Sequence, residues 1–184
     1  MIHTRKTCCF IGHRNATLDS IESSKLYNII ENLILKEVTT FIFGSKSNFD
    51  TLCYKIVTKL KIKYNKIERI IYTCKNETAL IENNCEQKNS ILKKLDGAFY
   101  FEKIYQQDAN YVYRKNSYIE RNKKMIKDSD FCIFYLDKKY SPIKEQIANK
   151  INMSYQANSG TAIAYSYAKK LNKSIINIFE LLHK

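Results

Sequence analysis

The chain has 184 residues, 45% of them hydrophobic, with four glycines and one proline, a composition that suits one ordered domain and excludes a disordered one. No apolar run approaches the ~20 residues of a membrane span and no charged-then-apolar leader opens the sequence, so a soluble, cytoplasmic protein is expected. The formal net charge of +13 attracts phosphate polymers, yet charge alone speaks for solubility and loose attraction rather than for a site.

Thr7 to Ile11 is a short apolar run between charge and Gly12, the pattern of a buried strand. Leu26, Ile29, Ile30, Leu33 and Ile34 recur at three and four, the stripe of an amphipathic helix. Thr40 to Phe43 reads as a second strand stopped at Gly44, followed by a helical stripe from Phe49 to Leu60 with Ser47 or Asn48 as its N-cap. Ile67 to Tyr72 is a third strand. Glu77 to Leu95 is assigned a helix and Ala98 to Phe101 a short strand. Tyr118, Arg121, Asn122 and Met125 share one face of a helix ending near Asp128, and Phe131 to Tyr135 is strongly β-prone. Lys138 to Asn158 lacks a clean period and holds Pro142, which marks a flap or insertion over 138–158. Thr161 to Leu171 is helical, with Gly160, Ala164 and Ala168 spaced for close approach to a sheet, and Ile175 to Ile178 is the last strand.

Strands alternating with helices imply right-handed crossovers between parallel strands. The expected fold is therefore α/β, a Rossmann-like three-layer domain with a mostly parallel sheet, occupying residues 1–184 as a single unit. Ligands in such sheets sit beyond the C-terminal strand edge. Four polar clusters are placed there or near it: Gly12-His13-Arg14, Gly44-Ser45, Ser117 to Asn122, and Ser159-Gly160-Thr161. Turns of small residues that open into helices expose N–H groups at a positive helix end, which suits phosphate.

The six cysteines include no C-x-x-C pair, and most lie in apolar runs, where a thiol acts as a small hydrophobe. His3, His13 and His183 have no ligand spacing, so neither metal nor cofactor is expected. Lys55, Lys59, Lys61, Lys63, Lys66 and Arg69 form a basic stretch, read as solvated faces. Neither G-x-G-x-x-G nor G-x-x-x-x-G-K-[ST] occurs, which argues against an ordinary dehydrogenase or P-loop enzyme.

Taken together the clusters carry a resemblance. Cys9-Phe10-Ile11-Gly12-His13-Arg14 resembles the opening motif of the YpsA-like branch of the SLOG superfamily, which is related to LOG-type phosphoribohydrolases and DprA-like proteins. The run from Phe43 to Asp50 is similar to its second glycine turn, Ser117 to Met125 to its SYxERNxxM helix, and Ser159-Gly160-Thr161 to its terminal SGT turn. The resemblance implies a Rossmann-like fold that binds a nucleotide or nucleotide-derived ligand, and it is compatible with a homodimer.

The residue chemistry agrees with that expectation. Arg14 and Arg121, two of five arginines, offer planar donor forks to phosphate. Gly12, Gly44, Ser45, Ser159, Gly160 and Thr161 offer backbone amides and hydroxyls, Asp50 a ribose acceptor or a helix-start charge, Tyr118 a stacking surface and Asn122 a polar neighbour. His13 reads as a turn residue and Phe49 as core. Superfamily members that cleave the N-glycosidic bond of nucleoside monophosphates carry Pro-Gly-Gly-x-Gly-Thr, with a glutamate three residues after the threonine. Here Gln156, Ala157 and Asn158 replace Pro-Gly-Gly, and Ala164 stands where the glutamate would be.

The leading expectation is thus a nucleotide binder or sensor without that carboxylate. The first alternative is a nucleotide N-glycosidase or transferase using another acid, with Asp137, Glu120 and Asp50 as candidates. The second is a module that binds single-stranded nucleic acid.

Overall fold

The computed structural model describes residues 5–44, 47–74, 103–106, 115–139 and 159–183, with backbone alone at 103–106, 115 and 116. In chain order the elements are β1 (Lys6–Gly12), α1 (Ser20–Leu35), β2 (Val38–Phe43), α2 (Asn48–Lys63), β3 (Glu68–Thr73), β4 (Lys103–Gln106), α3 (Lys115–Lys127), β5 (Phe131–Tyr135), α4 (Gly160–Lys170), β6 (Ser174–Asn177) and α5 (Ile178–Leu182). The six strands form one sheet in the order β4-β3-β2-β1-β5-β6, and every pairing is parallel. This is an α/β, Rossmann-like arrangement. From β1 to β4 the chain steps outward on one side, then returns to place β5 on the other side of β1. The ends of β1 and β5 therefore flank the point where strand order reverses, the usual ligand crevice of such sheets.

Strand alternation builds the three layers. Cys8 and Phe10 of β1 face one side with Phe41, Phe43, Ile133 and Tyr135, where Leu26, Ile30 and Leu33 of α1 and Phe49, Cys53 and Val57 of α2 cover them. Cys9 and Ile11 face the other side with Ile42, Cys132 and Phe134, covered by Met125 and Ile126 of α3 and Ala164 and Ala168 of α4. Phe10 stacks on Phe41 and on Phe43, with ring centroids 5.9 and 5.1 Å away. Burying each such ring stabilises the fold by roughly 1.5–3 kcal/mol. Cys8, Cys9, Cys53, Cys74 and Cys132 are all buried with free thiols, and burial raises the pKa of Cys8, Cys9 and Cys53.

Helix ends follow local chemistry. Asp19 and Glu22 form a capping box at α1, each side chain accepting from the other's N–H, at 2.8 and 3.0 Å. Ser47 caps α2 and Ser159 caps α4. At the far end of α4, Asn172 is left-handed at φ 51°. Lys173 N–H bonds the Ala168 carbonyl and Asn172 N–H that of Lys169, the pair of bonds that closes a Schellman turn.

Several expectations are corrected. A strand that the sequence reading does not assign lies at Lys103–Gln106, and the short strand expected at Ala98–Phe101 falls outside the described residues. The last strand ends at Asn177, and Ile178 opens a short helix instead of closing the strand. Arg69 does not belong to a solvated face. It is buried on β3, where its guanidinium donates to Tyr54 Oη at 3.2 Å and Thr58 Oγ1 at 2.9 Å. The helix expected over Glu77–Leu95 and all of the 138–158 excursion beyond Lys139 lie outside the described residues. No helix among the described residues is long and apolar enough to cross a membrane.

Candidate functional site

The C-terminal strand edge gathers the residues that follow β1, β2 and β5 and the first turns of α2, α3 and α4. Gly12 closes β1, and its missing side chain is a packing requirement. A Cβ there would lie 2.6 Å from Phe49 Cβ, Cγ and Cδ1, so α2 seats its first turn directly on the strand end. Gly12 is thereby explained by the core rather than by a ligand. Arg14 is exposed, and its carbonyl accepts the Asn48 N–H at 2.9 Å, which ties the turn after β1 to the start of α2.

Gly44, at the end of β2, is the meeting point of two helices from opposite faces of the sheet. A Cβ on Gly44 would sit 2.8 Å from Arg121 Nη2 of α3 and 3.2 Å from Asp50 Oδ2 of α2. Asp50 is buried. Its Oδ1 accepts the Gly44 N–H at 3.2 Å and its Oδ2 the Ser47 hydroxyl at 2.7 Å, while its own N–H donates to Ser47 Oγ at 2.9 Å. Burial pushes the Asp50 carboxyl up from its ordinary value, and the Arg121 charge, Ser47 and Gly44 oppose that rise.

This changes the reading of the second glycine turn. The negative group at the N-terminus of α2 is the protein's own Asp50, and a phosphate there would meet a like charge. The Gly44 N–H expected to receive a ligand is already bonded to that carboxylate. Ser45 lies outside the described residues.

Arg121 is likewise engaged from within. It is 6% exposed, its Cζ stands 5.2 Å from the centroid of the Tyr118 ring, and its Nε and Nη2 donate to Asn122 Oδ1 at 3.3 and 3.1 Å. One face of Tyr118 therefore carries a guanidinium. Tyr118, Arg121 and Asn122 form one cluster, as their spacing on α3 suggested.

The N-terminus of α4 is different. Ser159 Oγ accepts the Ala162 N–H at 3.1 Å, and the Ser159 carbonyl accepts that of Ile163. The N–H groups of Gly160 and Thr161 have no partner among the described residues. The Thr161 hydroxyl has none either, although Thr161 is only 6% exposed. The first turn carries no acid, and no described atom lies within 4 Å of where a Gly160 Cβ would be. Gly160 thus does not serve the close helix–sheet approach expected of it; Ala164 and Ala168, at 1% and 0% exposure, do.

The candidate acids are placed apart. Glu120 holds Lys123 at 2.7 Å on the outer side of α3. The Asp137 carboxylate accepts the Lys139 N–H at 2.8 Å in a local turn. Ala164 is packed in the core with Cys9, Ile11 and Phe134, where a glutamate would be buried. His13, read from the sequence as a turn residue, is 4% exposed, and its Nε2 accepts the Asp137 N–H at 3.1 Å. Burial holds its pKa below 6.5, with Asp137 opposing the shift. Among the described residues, no group of three His, Cys, Asp or Glu is arranged to hold a metal ion.

No family model matches the chain, and no curated protein matches it significantly. Among solved structures, the chain is similar to DNA processing protein A (DprA) from Streptococcus pneumoniae, with 12% identity and a TM-score of 0.47 over 97% of this chain. It spans 61% of that protein's length. It is also similar to DNA processing protein A from Helicobacter pylori, a structure titled for that protein's single-stranded DNA binding mode, with 14% identity, a TM-score of 0.47 and coverage of 97% of this chain and 79% of that one.

Proposed function

We propose that the chain binds a nucleotide or nucleotide-derived ligand at the C-terminal edge of its sheet, with a phosphate on the N-terminus of α4. One observation carries this reading: Gly160 and Thr161 present two N–H groups, and Thr161 a hydroxyl, without partners among the described residues, at a helix end with no acid in its first turn. The first N–H groups of a helix have no intrahelical partner, and donors left open at a positive helix end fit an anion that completes them. Asp50 fills the equivalent place at α2, which directs phosphate to α4. Arg121 and Tyr118 contribute as a pre-assembled pair in the neighbouring helix. The resemblance to the SLOG superfamily supports the same ligand class.

Single-stranded nucleic acid is the second reading. The net charge of +13 favours it, as does the layer made by α3 and α4, where lysines lie against tyrosines. Lys123 stands 5.8 Å from the centroid of the Tyr167 ring and Lys169 5.0 Å from that of Tyr165. Basic and aromatic side chains in alternation suit a phosphate backbone and stacked bases.

The test is a panel of ribo- and deoxyribonucleoside phosphates and single-stranded oligonucleotides incubated with the purified protein, with mass spectrometry of the retained and free fractions. An intact mononucleotide in the retained fraction supports the first reading. Retention of oligonucleotides only, falling steeply with salt, supports the second. Free base with sugar phosphate in the free fraction transfers the case to the N-glycosidase alternative. Retention of nothing overturns the site.

A further inference from the structure

Past its last strand residue, the chain leaving β5 is held by side chains from the two neighbouring strands. Asn177, at the end of β6, grips Leu136 with both ends of its amide: Oδ1 accepts the Leu136 N–H at 3.0 Å, and Nδ2 donates to the Leu136 carbonyl at 3.0 Å. His13, just beyond β1, takes the next residue. Its Nε2 accepts the Asp137 N–H at 3.1 Å and lies 3.3 Å from the Asp137 carbonyl oxygen. The accepted bond requires an unprotonated Nε2 and places the ring proton on Nδ1. Asn177 and His13 are 6% and 4% exposed, so both grips are made away from solvent. The His13 backbone joins in, its N–H donating to the Tyr135 carbonyl at 3.3 Å. Side chains thus continue the pairing of β5 with β1 and β6 after the strands themselves have stopped.

The place matters because β1 and β5 flank the reversal of strand order. The Leu136–Asp137 segment continues the chain of β5 at that reversal, and α4 is the next described helix in the chain. We propose that His13 and Asn177 are positioning residues of the ligand crevice, fixing Leu136–Asp137 at its edge without themselves contacting the ligand. The proposal rests on the nucleotide-site reading above. A segment two residues long with four main-chain polar groups would otherwise have to find partners in water, and a displacement there of about 1 Å is enough to weaken a ligand site substantially.

The experiment joins two readouts, amide hydrogen exchange at Leu136 and Asp137 and retention of the nucleotide panel, in wild type, His13→Ala, His13→Gln and Asn177→Asp. Glutamine carries a donor and an acceptor and can replace the ring in kind. His13→Ala is expected to speed exchange of the Asp137 amide about tenfold, the worth of one buried hydrogen bond, and to weaken nucleotide retention about as much. His13→Gln is expected to restore both. Asn177→Asp keeps the acceptor for Leu136 N–H and loses the donor. It should weaken retention while leaving Leu136 amide exchange close to wild type, and it carries the test if His13→Ala does not fold. Unchanged Asp137 exchange in His13→Ala overturns the clamp. Faster exchange with unchanged retention, or no rescue by glutamine, overturns the positioning role. A wild-type protein that retains no nucleotide overturns the site and the positioning role together, whereas the exchange data still decide the clamp by itself.

Discussion

Asp50 and Arg121 come from helices on opposite faces of the sheet and both approach the place that a side chain on Gly44 would take. The place of a Gly44 Cβ is 3.2 Å from one and 2.8 Å from the other. Each is buried, and the charge of Arg121 opposes the burial that raises the Asp50 pKa. The second glycine turn is therefore occupied by a carboxylate and a guanidinium of the protein, and the N–H groups without partners among the described residues lie at the start of α4.

Removing the Asp50 side chain exposes how much it holds. Asp50→Ala strips an acceptor from the Gly44 N–H and the Ser47 hydroxyl in a buried place, at an expected cost of about 2–4 kcal/mol. Asp50→Asn keeps an acceptor and removes a charge that burial disfavours, so its expected cost is within about 1 kcal/mol. Urea unfolding of both variants near neutral pH checks the ranking. Equal costs would mean that the charge, rather than the hydrogen bonds, is what the site needs.

The glycines of β1 and β2 predict a second ranking. A Cβ on Gly12 meets the fixed stem of the buried Phe49 at 2.6 Å, whereas one on Gly44 meets the far end of the Arg121 side chain. Gly12→Ala is expected to cost about 3 kcal/mol and Gly44→Ala about 1 kcal/mol, the difference reflecting which neighbour can yield. Thermal unfolding of the two variants decides it, and the reverse order would contradict the packing described here.

His13 makes stability depend on pH. Its pKa in the fold lies below the ordinary 6.5 because the ring is buried. As pH falls, the unfolded chain takes up the proton first, so acid favours unfolding. The contribution of the neutral ring is fully present above 6.5, is lost as pH falls towards the folded-state value, and is gone below it. The urea midpoint should accordingly be higher at about pH 7.5 than at about pH 5.5, and His13→Gln should flatten that part of the profile. A wild-type midpoint that rises with acid through this range would contradict the assignment.

Much of this was legible in the chain. The run at Phe131–Tyr135 is β5 to the residue, because three aromatics and an isoleucine within five residues, preceded by Asp130, are strongly β-prone. Of the two cap candidates, Ser47 and Asn48, the structure takes Ser47, while Phe49 as core and the common face of Tyr118, Arg121 and Asn122 follow from helix periodicity. The capping box at Asp19 and Glu22 is legible as an acid three residues before another, just ahead of an apolar stripe. Lys103–Gln106 was not legible, since a four-residue strand alternating charged, apolar and polar residues has no distinct signal. The partners of Asp50 were out of reach for another reason: Arg121 and Gly44 come to it only when two layers close over the sheet. His13 and Asn177 bond to main-chain atoms 124 and 41 residues away, and main-chain partners leave no mark in residue type.

The most direct test of the account is nucleotide affinity in Gly160→Pro. Proline is tolerated at the first residue of a helix, and Ser159 before it already has the extended backbone that proline requires, with φ −59° and ψ 147°. The substitution deletes one of the two open N–H groups and little else, so stability should stay within about 0.5 kcal/mol of wild type. Titration with the nucleotide retained by the wild-type protein should then show affinity reduced by about tenfold or more, the worth of a hydrogen bond to a charged group. A folded Gly160→Pro protein that binds that nucleotide as tightly as wild type would contradict the placement of phosphate at α4.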